Sequence, residues 1–125
     1  MAGPDLIPYK FQDLERLLLF VEQQFGSEAK IVDVNKYAEL FRTFVLRFSF
    51  RDLVFHVKSD RGIYEIDVSK VGGDGRAIWL CRALPELKLP ETIGETQGVE
   101  GELSLILGSD FFLDKIRSVL VAKAD

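Results

Sequence analysis

Residues 44–69 read FVLRFSFRDLVFHVKSDRGIYEIDVS, and the alternation within that stretch decides the fold. Phe44, Leu46, Phe48 and Phe50 share one parity and end at Arg51-Asp52. Leu53, Phe55 and Val57 resume the pattern, and Tyr64, Ile66 and Val68 take it up again after Ser59-Asp60-Arg61-Gly62. Apolar residues at every second position, aromatic or β-branched for the most part, mark strands buried on one face. Arg51-Asp52 is short enough to join two neighbouring strands. Ser59 to Gly62 is turn chemistry with a glycine in its last position. The stretch reads as an antiparallel meander.

Turn positions set its register. Pairing Phe50 with Leu53, and Lys58 with Ile63, places Leu46, Val57 and Tyr64 in one cross-strand row. Phe48, Phe55 and Ile66 form the next row, and Phe50, Leu53 and Val68 a third. All are apolar and share a face. A one-residue slip of any strand would turn its apolar set to the other side, so the agreement supports the pairing. The opposite face then carries Arg47, His56 and Glu65 in one row, flanked by Val45, Lys58, Ile63 and by Ser49, Val54, Asp67.

Outward from the meander, Lys30 to Val34 alternates as a short strand. Tyr37, Leu40, Phe41, Phe44, Val45 and Phe48 also fit a helix template, but the alternation from Phe44 favours a turn through Ala38–Phe41 and then strand. Upstream, Pro4 and Pro8 predict an extended lead-in. Phe11, Leu14, Leu18, Val21 and Phe25 recur at helical steps, with Leu17 and Phe20 widening the stripe, which predicts a helix over 11–25. Gly26 stands where a left-handed C-cap is wanted. Downstream, Val71-Gly72-Gly73-Asp74-Gly75 is a loop by composition, and Ala77 to Cys81 fits either a further strand or a short helix. Pro85 and Pro90 bracket an irregular stretch, and Leu103 to Leu107 is apolar with no decisive period. Phe112, Leu113, Ile116, Val119 and Leu120 predict a last helix over 110–123, capped by Ser109 or Asp110, with Lys115, Arg117 and Lys123 toward its C-terminal end. The expected fold is α+β: an antiparallel meander of three or four strands over about 30–69, covered on its apolar face by the N-terminal and C-terminal helices.

At 125 residues, 47% hydrophobic and 29% charged, the chain suits one globular domain over 1–125 and excludes the disordered, collagenous and low-complexity classes. A net charge of -4 argues against a dedicated nucleic-acid binder. Cys81 is the one cysteine, so neither an internal disulfide nor a multi-cysteine zinc site is expected. The longest apolar run, Leu17 to Val21, is far short of a bilayer span, and Met1 to Asp5 has no basic region of a signal peptide; a cytoplasmic protein without membrane contact is expected.

Chemistry-bearing motifs are few. One histidine and one cysteine exclude a HExxH helix and a CxxC pair, no GxxxxGK[ST] loop is present, and Gly72, Gly73 and Gly75 lack the third glycine of a dinucleotide fingerprint. No catalytic residue, cofactor or metal ligand is therefore assigned. His56 is the side chain that titrates near neutrality. With Glu65 on one side to orient it and Arg47 on the other to hold an anion, it would suit a small enzyme or ligand carrier. The same row is also what a solvated sheet face looks like. Cys81, near Trp79, fits a core thiol better than a reactive one. The ten phenylalanines fall mostly on the core face.

The segment 86–102 sets Glu86, Glu91, Glu95, Glu100 and Glu102 against Lys88 alone, which concentrates the formal charge imbalance in one stretch. It is expected to be a solvated loop, with Glu91, Glu95 and Glu100 as candidate contacts for a basic protein partner. The order of helix, meander and C-terminal helices is similar in shape and size to small proteins that neutralise toxins, although no motif carries a family. The function expected is thus a small non-enzymatic binding protein, an inhibitor or toxin-immunity-type partner, with an enzyme or carrier using Arg47, His56 and Glu65 as the alternative. The sequence leaves oligomeric state open. One consequence is immediate: Phe55→Asp drives an unpaired charge into the core and abolishes the cooperative thermal transition seen by near-UV circular dichroism.

Overall fold

The structure is a computed structural model, and residues 12–37, 43–73 and 76–124 are described. Five antiparallel strands follow one another in chain order across a single sheet: β1 (Ala29–Lys36), β2 (Phe44–Phe50), β3 (Leu53–Asp60), β4 (Ile63–Lys70) and β5 (Ile78–Trp79). Helix α1 (Gln12–Phe25) precedes the sheet; α2 (Leu80–Ala83), a 3-10 turn at Pro85–Leu87, α3 (Thr96–Leu107) and α4 (Asp110–Ala124) follow it. The α+β class and the one-sided packing expected from the alternation are both present. The proposed lead-in through Pro8, the residue Phe11 and the turn at Ala38–Phe41 lie outside the described residues.

Burial follows parity. On β2, Phe44, Leu46, Phe48 and Phe50 are buried and the residues between them are half-buried; β3 repeats the pattern from Leu53. These side chains, with Tyr64, Ile66 and Val68 of β4, join Leu14, Leu17 and Val21 of α1, Val99, Leu103 and Ile106 of α3, and Leu113, Ile116 and Leu120 of α4 in one apolar cluster. Phe48 stacks on Phe55 at 5.6 Å between centroids, and Phe25 meets Phe50 edge-on at 5.7 Å. The stretch Ala77 to Cys81, which fitted either a strand or a short helix, divides between the two. Ile78 and Trp79 pair with Val68 and Asp67 as β5, and Leu80 begins α2.

The first turn has the expected register, with Phe50 opposite Leu53. The second does not. Asp60 pairs with Ile63, so the loop is only Arg61-Gly62, and both residues have positive φ (55° and 89°), as a type I′ hairpin requires. The expected pairing of Lys58 with Ile63 is off by two residues. An even slip keeps every side chain on its face but changes its neighbours. The core rows are Leu46–Val57–Ile66 and Phe48–Phe55–Val68, while Tyr64 lies opposite Ser59.

Three further expectations change. Gly26 has no positive φ; a Cβ there would sit 2.3 Å from the Glu22 carbonyl oxygen, so close approach rather than a left-handed cap demands glycine. The segment 86–102, expected to be a solvated loop, instead runs from Thr96 into α3, which absorbs the Leu103–Leu107 run; Thr96, Val99, Leu103, Ile106 and Leu107 line its buried side. Finally, β1 extends to Lys36, with a bulge between Ile31 and Asp33. It stands at one end of the strand order and, among the described residues, pairs on one side only. At the other side, Ile93 exchanges both backbone hydrogen bonds with Tyr64 (2.7 and 2.8 Å) and finishes the edge of β4 that two-residue β5 leaves short.

Polar ties fasten the helices. Ser109 caps α4, accepting from the Phe112 amide at 3.3 Å. Tyr64 Oη donates to Asp13 at 3.0 Å, and Arg51, held at φ 56° in the first turn, reaches both Glu28 (2.6 Å) and Asp110 (2.8 Å). Two glycines inside α3 give a test of local packing. A Cβ on Gly98 meets Ile93 Cγ2 at 2.6 Å, whereas one on Gly101 meets nothing within 4 Å. Gly101→Ala is expected to stabilise the protein by about 0.5–1 kcal/mol through helix propensity. Gly98→Ala is expected to lose more than that gain, since overpacking costs about 1–3 kcal/mol. Urea denaturation of the two variants checks the ordering.

Candidate functional site

The outer face of the sheet, opposite the helices, carries a polar row across all five strands: Asp33, Arg47, His56, Asp67 and Trp79. Two of the three residues singled out in the sequence, Arg47 and His56, are brought together here. Glu65 is not; the two-residue hairpin sets it opposite Lys58 and puts Asp67 across from His56. Asp33 and Asp67 were thus missed as row members. The signal for Asp67 was Arg61-Gly62 as a complete loop, obscured by the reading of Ser59 to Gly62 as one four-residue turn.

Each charge in the row is engaged. Arg47 grips Asp33 with two parallel hydrogen bonds, Nε to Oδ1 at 2.7 Å and Nη2 to Oδ2. That guanidinium holds the Asp33 carboxyl below its ordinary range. Lys58 Nζ lies 2.6 Å from Asp67 Oδ2. Asp67 is only 4% exposed, and its other oxygen, Oδ1, has no hydrogen-bond partner among the described residues. The His56 ring meets Ser69 Oγ at 2.9 Å through Nε2. Burial pushes the His56 pKa down from 6.5, and Arg47 and Lys58 add to that against the opposing pull of Asp67 and Asp33.

Ser69, His56 and Asp67 are the residue types of a nucleophilic triad, but their arrangement differs from one. Ser69 is 5% exposed, so its hydroxyl is closed to a substrate, and the carboxylate oxygen that should receive a ring N–H receives none. Beside the row, two shallow clefts open to solvent. One, about 490 Å³, is lined in part by Lys30, Val32, Ser49, Val54 and Val71; the other, about 360 Å³, includes Lys58, Ile63, Glu65 and Thr92. Val32, Val71 and Ile63 are each about half exposed. A third cleft of about 230 Å³ lies at the β5 edge, where Arg82 stacks 4.7 Å above Trp79.

The glutamates of 86–102 do not make one free surface. Glu86 pairs with Lys115 at 2.8 Å, and Glu100 with Arg16 at 2.7 Å. Glu102 is half-buried, and burial raises its pKa to about 7. Glu91 and Glu95 are exposed. Cys81 is half-buried, and burial together with Glu91 and Glu102 pushes its thiol pKa up, away from the reactive thiolate.

Among the described residues, no group of three or more His, Cys, Asp or Glu is placed to hold a metal ion, and no helix is long and apolar enough to cross a membrane. The chain matches no protein-family model, no curated protein and no solved structure.

Glu102 yields a pH test. Its folded pKa of about 7 lies above the ordinary glutamate value of 4.5, so the native state holds the proton more tightly than the unfolded chain. Stability therefore falls as pH rises through that window. Glu102→Gln removes the penalty. Its Tm is expected to exceed that of the parent near pH 8 and to converge with it near pH 4.5, as thermal scans at the two pH values will measure.

Proposed function

We propose that the protein is a non-enzymatic binding protein whose outer sheet face receives a second protein, in the manner of an inhibitor or an immunity partner. The observation that carries this reading is the composition of that face. Its charges are matched in advance, Arg47 with Asp33 and Lys58 with Asp67, and exposed Val32, Val71 and Ile63 stand around them. Paired charges enter an interface as nearly neutral units with their geometry already fixed, which lowers the ordering and desolvation cost of association. Apolar side chains interleaved with such pairs supply the contact area. The clefts on the face are open and shallow, which suits a protein surface better than an enclosed small molecule.

The acidic segment has a smaller part in this reading. With Glu86 and Glu100 held by Lys115 and Arg16, the exposed carboxylates Glu91 and Glu95 act at long range and favour the approach of a basic partner. A single cysteine, which can form no internal disulfide, suits a reducing cytoplasm.

The test starts from proteins co-purified from the native host and then rebound as purified components. Val54→Arg, on the outer face, is expected to weaken binding at least about tenfold, or about 1.4 kcal/mol. Glu91→Lys with Glu95→Lys is expected to change affinity by no more than about threefold and chiefly to alter its salt dependence. The reverse pattern would move the interface to the acidic segment. A metabolite that raises Tm by several degrees with no protein partner would replace this reading with the ligand carrier.

A further inference from the structure

Asp67 and His56 face each other as a direct cross-strand pair, yet no hydrogen bond joins them. Asp67 is buried, with one oxygen taken by Lys58 and Oδ1 left without a partner among the described residues. A buried carboxylate oxygen without a donor is costly, so the arrangement calls for a donor supplied in another state of the molecule. The neighbour that can gain one is His56. In the neutral tautomer that donates Nε2–H to Ser69, Nδ1 carries no proton for Asp67, whereas the imidazolium has two donors, one for each neighbour.

We propose that His56 and Asp67 form a proton-operated switch in the outer face: when the ring takes up a proton, Nε2–H serves Ser69, Nδ1–H is donated to Asp67 Oδ1, and Lys58 must share the carboxylate it holds alone in the neutral state. The groups facing the ring set the conditions. From β2 Arg47 repels the proton, as does Lys58 on β3 itself; Asp67 on β4 attracts it, and Asp33 on β1 attracts it through the Arg47 pair. Burial adds to the repulsion, so the switch stays in its neutral state near pH 7 and operates below the ordinary histidine range. Proton uptake adds one positive charge at the centre of the face and weakens the hold on Lys58. The switch is independent of what docks there.

His56 is the one histidine of the chain, so its ring nitrogens can be followed without ambiguity by ¹⁵N NMR of the full-length protein from about pH 4 to pH 8. On acidification, a slowly exchanging Nδ1–H is expected to emerge with the titration of the ring. In Asp67→Asn the titration midpoint is expected to fall by about half a unit or more, because the attracting carboxylate is gone. In Lys58→Gln, which keeps the buried aspartate and serves if Asp67→Asn fails to fold, the midpoint is expected to rise and the Nδ1–H to exchange more slowly. An Nδ1–H that exchanges at the solvent rate, or a midpoint unmoved by both substitutions, would overturn the proposal.

Discussion

Everything in this molecule depends on keeping water off one side of β2, β3 and β4. Phe44, Phe48, Phe50 and Phe55 project to the same side, and aromatic area of that size cannot be covered by a meander alone. The three long helices are the cover. Their buried residues, Leu17 in α1, Leu103 in α3 and Leu113 in α4 among them, belong to the same cluster as the phenylalanines. The polar ties are placed where they hold that cover in position: Tyr64 to Asp13 under α1, Arg51 to Asp110 at the start of α4, and Arg16 to Glu100 between α1 and α3. Most of these ties are exposed and worth little by themselves, so their effect is one of orientation more than of stability.

The face pattern was legible from residues alone because side-chain period in a strand is fixed at two. Parity survives any even error in register, and the Arg61-Gly62 hairpin is such an error: the core list stands while the neighbours change. Sites are less forgiving than cores. A site depends on which side chains touch, so the same two-residue slip replaced Glu65 with Asp67 beside His56 and changed the chemistry of the row. What misled was the reading of Ser59 to Gly62 as one four-residue turn, which hid a complete two-residue turn at Arg61-Gly62. In α3 the local signal was overridden in the other direction. Gly98 and Gly101 weaken a helix on propensity, yet burial of Val99, Leu103 and Ile106 against the sheet outweighs them, and Gly98 is further explained by the closeness of Ile93.

The outer face shows how a sheet can be half-covered without being greasy. Arg47–Asp33 and Lys58–Asp67 are cross-strand or diagonal pairs, and Asp67, flanked in its row by His56 and Trp79, is drawn well out of solvent. Glu102 on the helical side is the complementary case, a carboxyl whose pKa is raised by burial. The two groups shift in opposite directions, His56 downward and Glu102 upward, for one reason. Loss of hydration favours neutral His56 and neutral Glu102 alike.

The bulge in β1 has a further consequence, for how the molecules behave in a crowd. An eight-residue strand at the rim of a sheet offers its outward amides and carbonyls to any extended peptide that passes, a second copy included. Here the extra residue at Val32 breaks the even spacing of those groups, and Lys30, Asp33 and Lys36 set charges along the line a newcomer would follow. Two such rims cannot zip together in register without straightening the kink and stripping water from the lysines. Among the described residues no further strand pairs with this edge, and its kink and charges make it a poor template for edge-to-edge pairing.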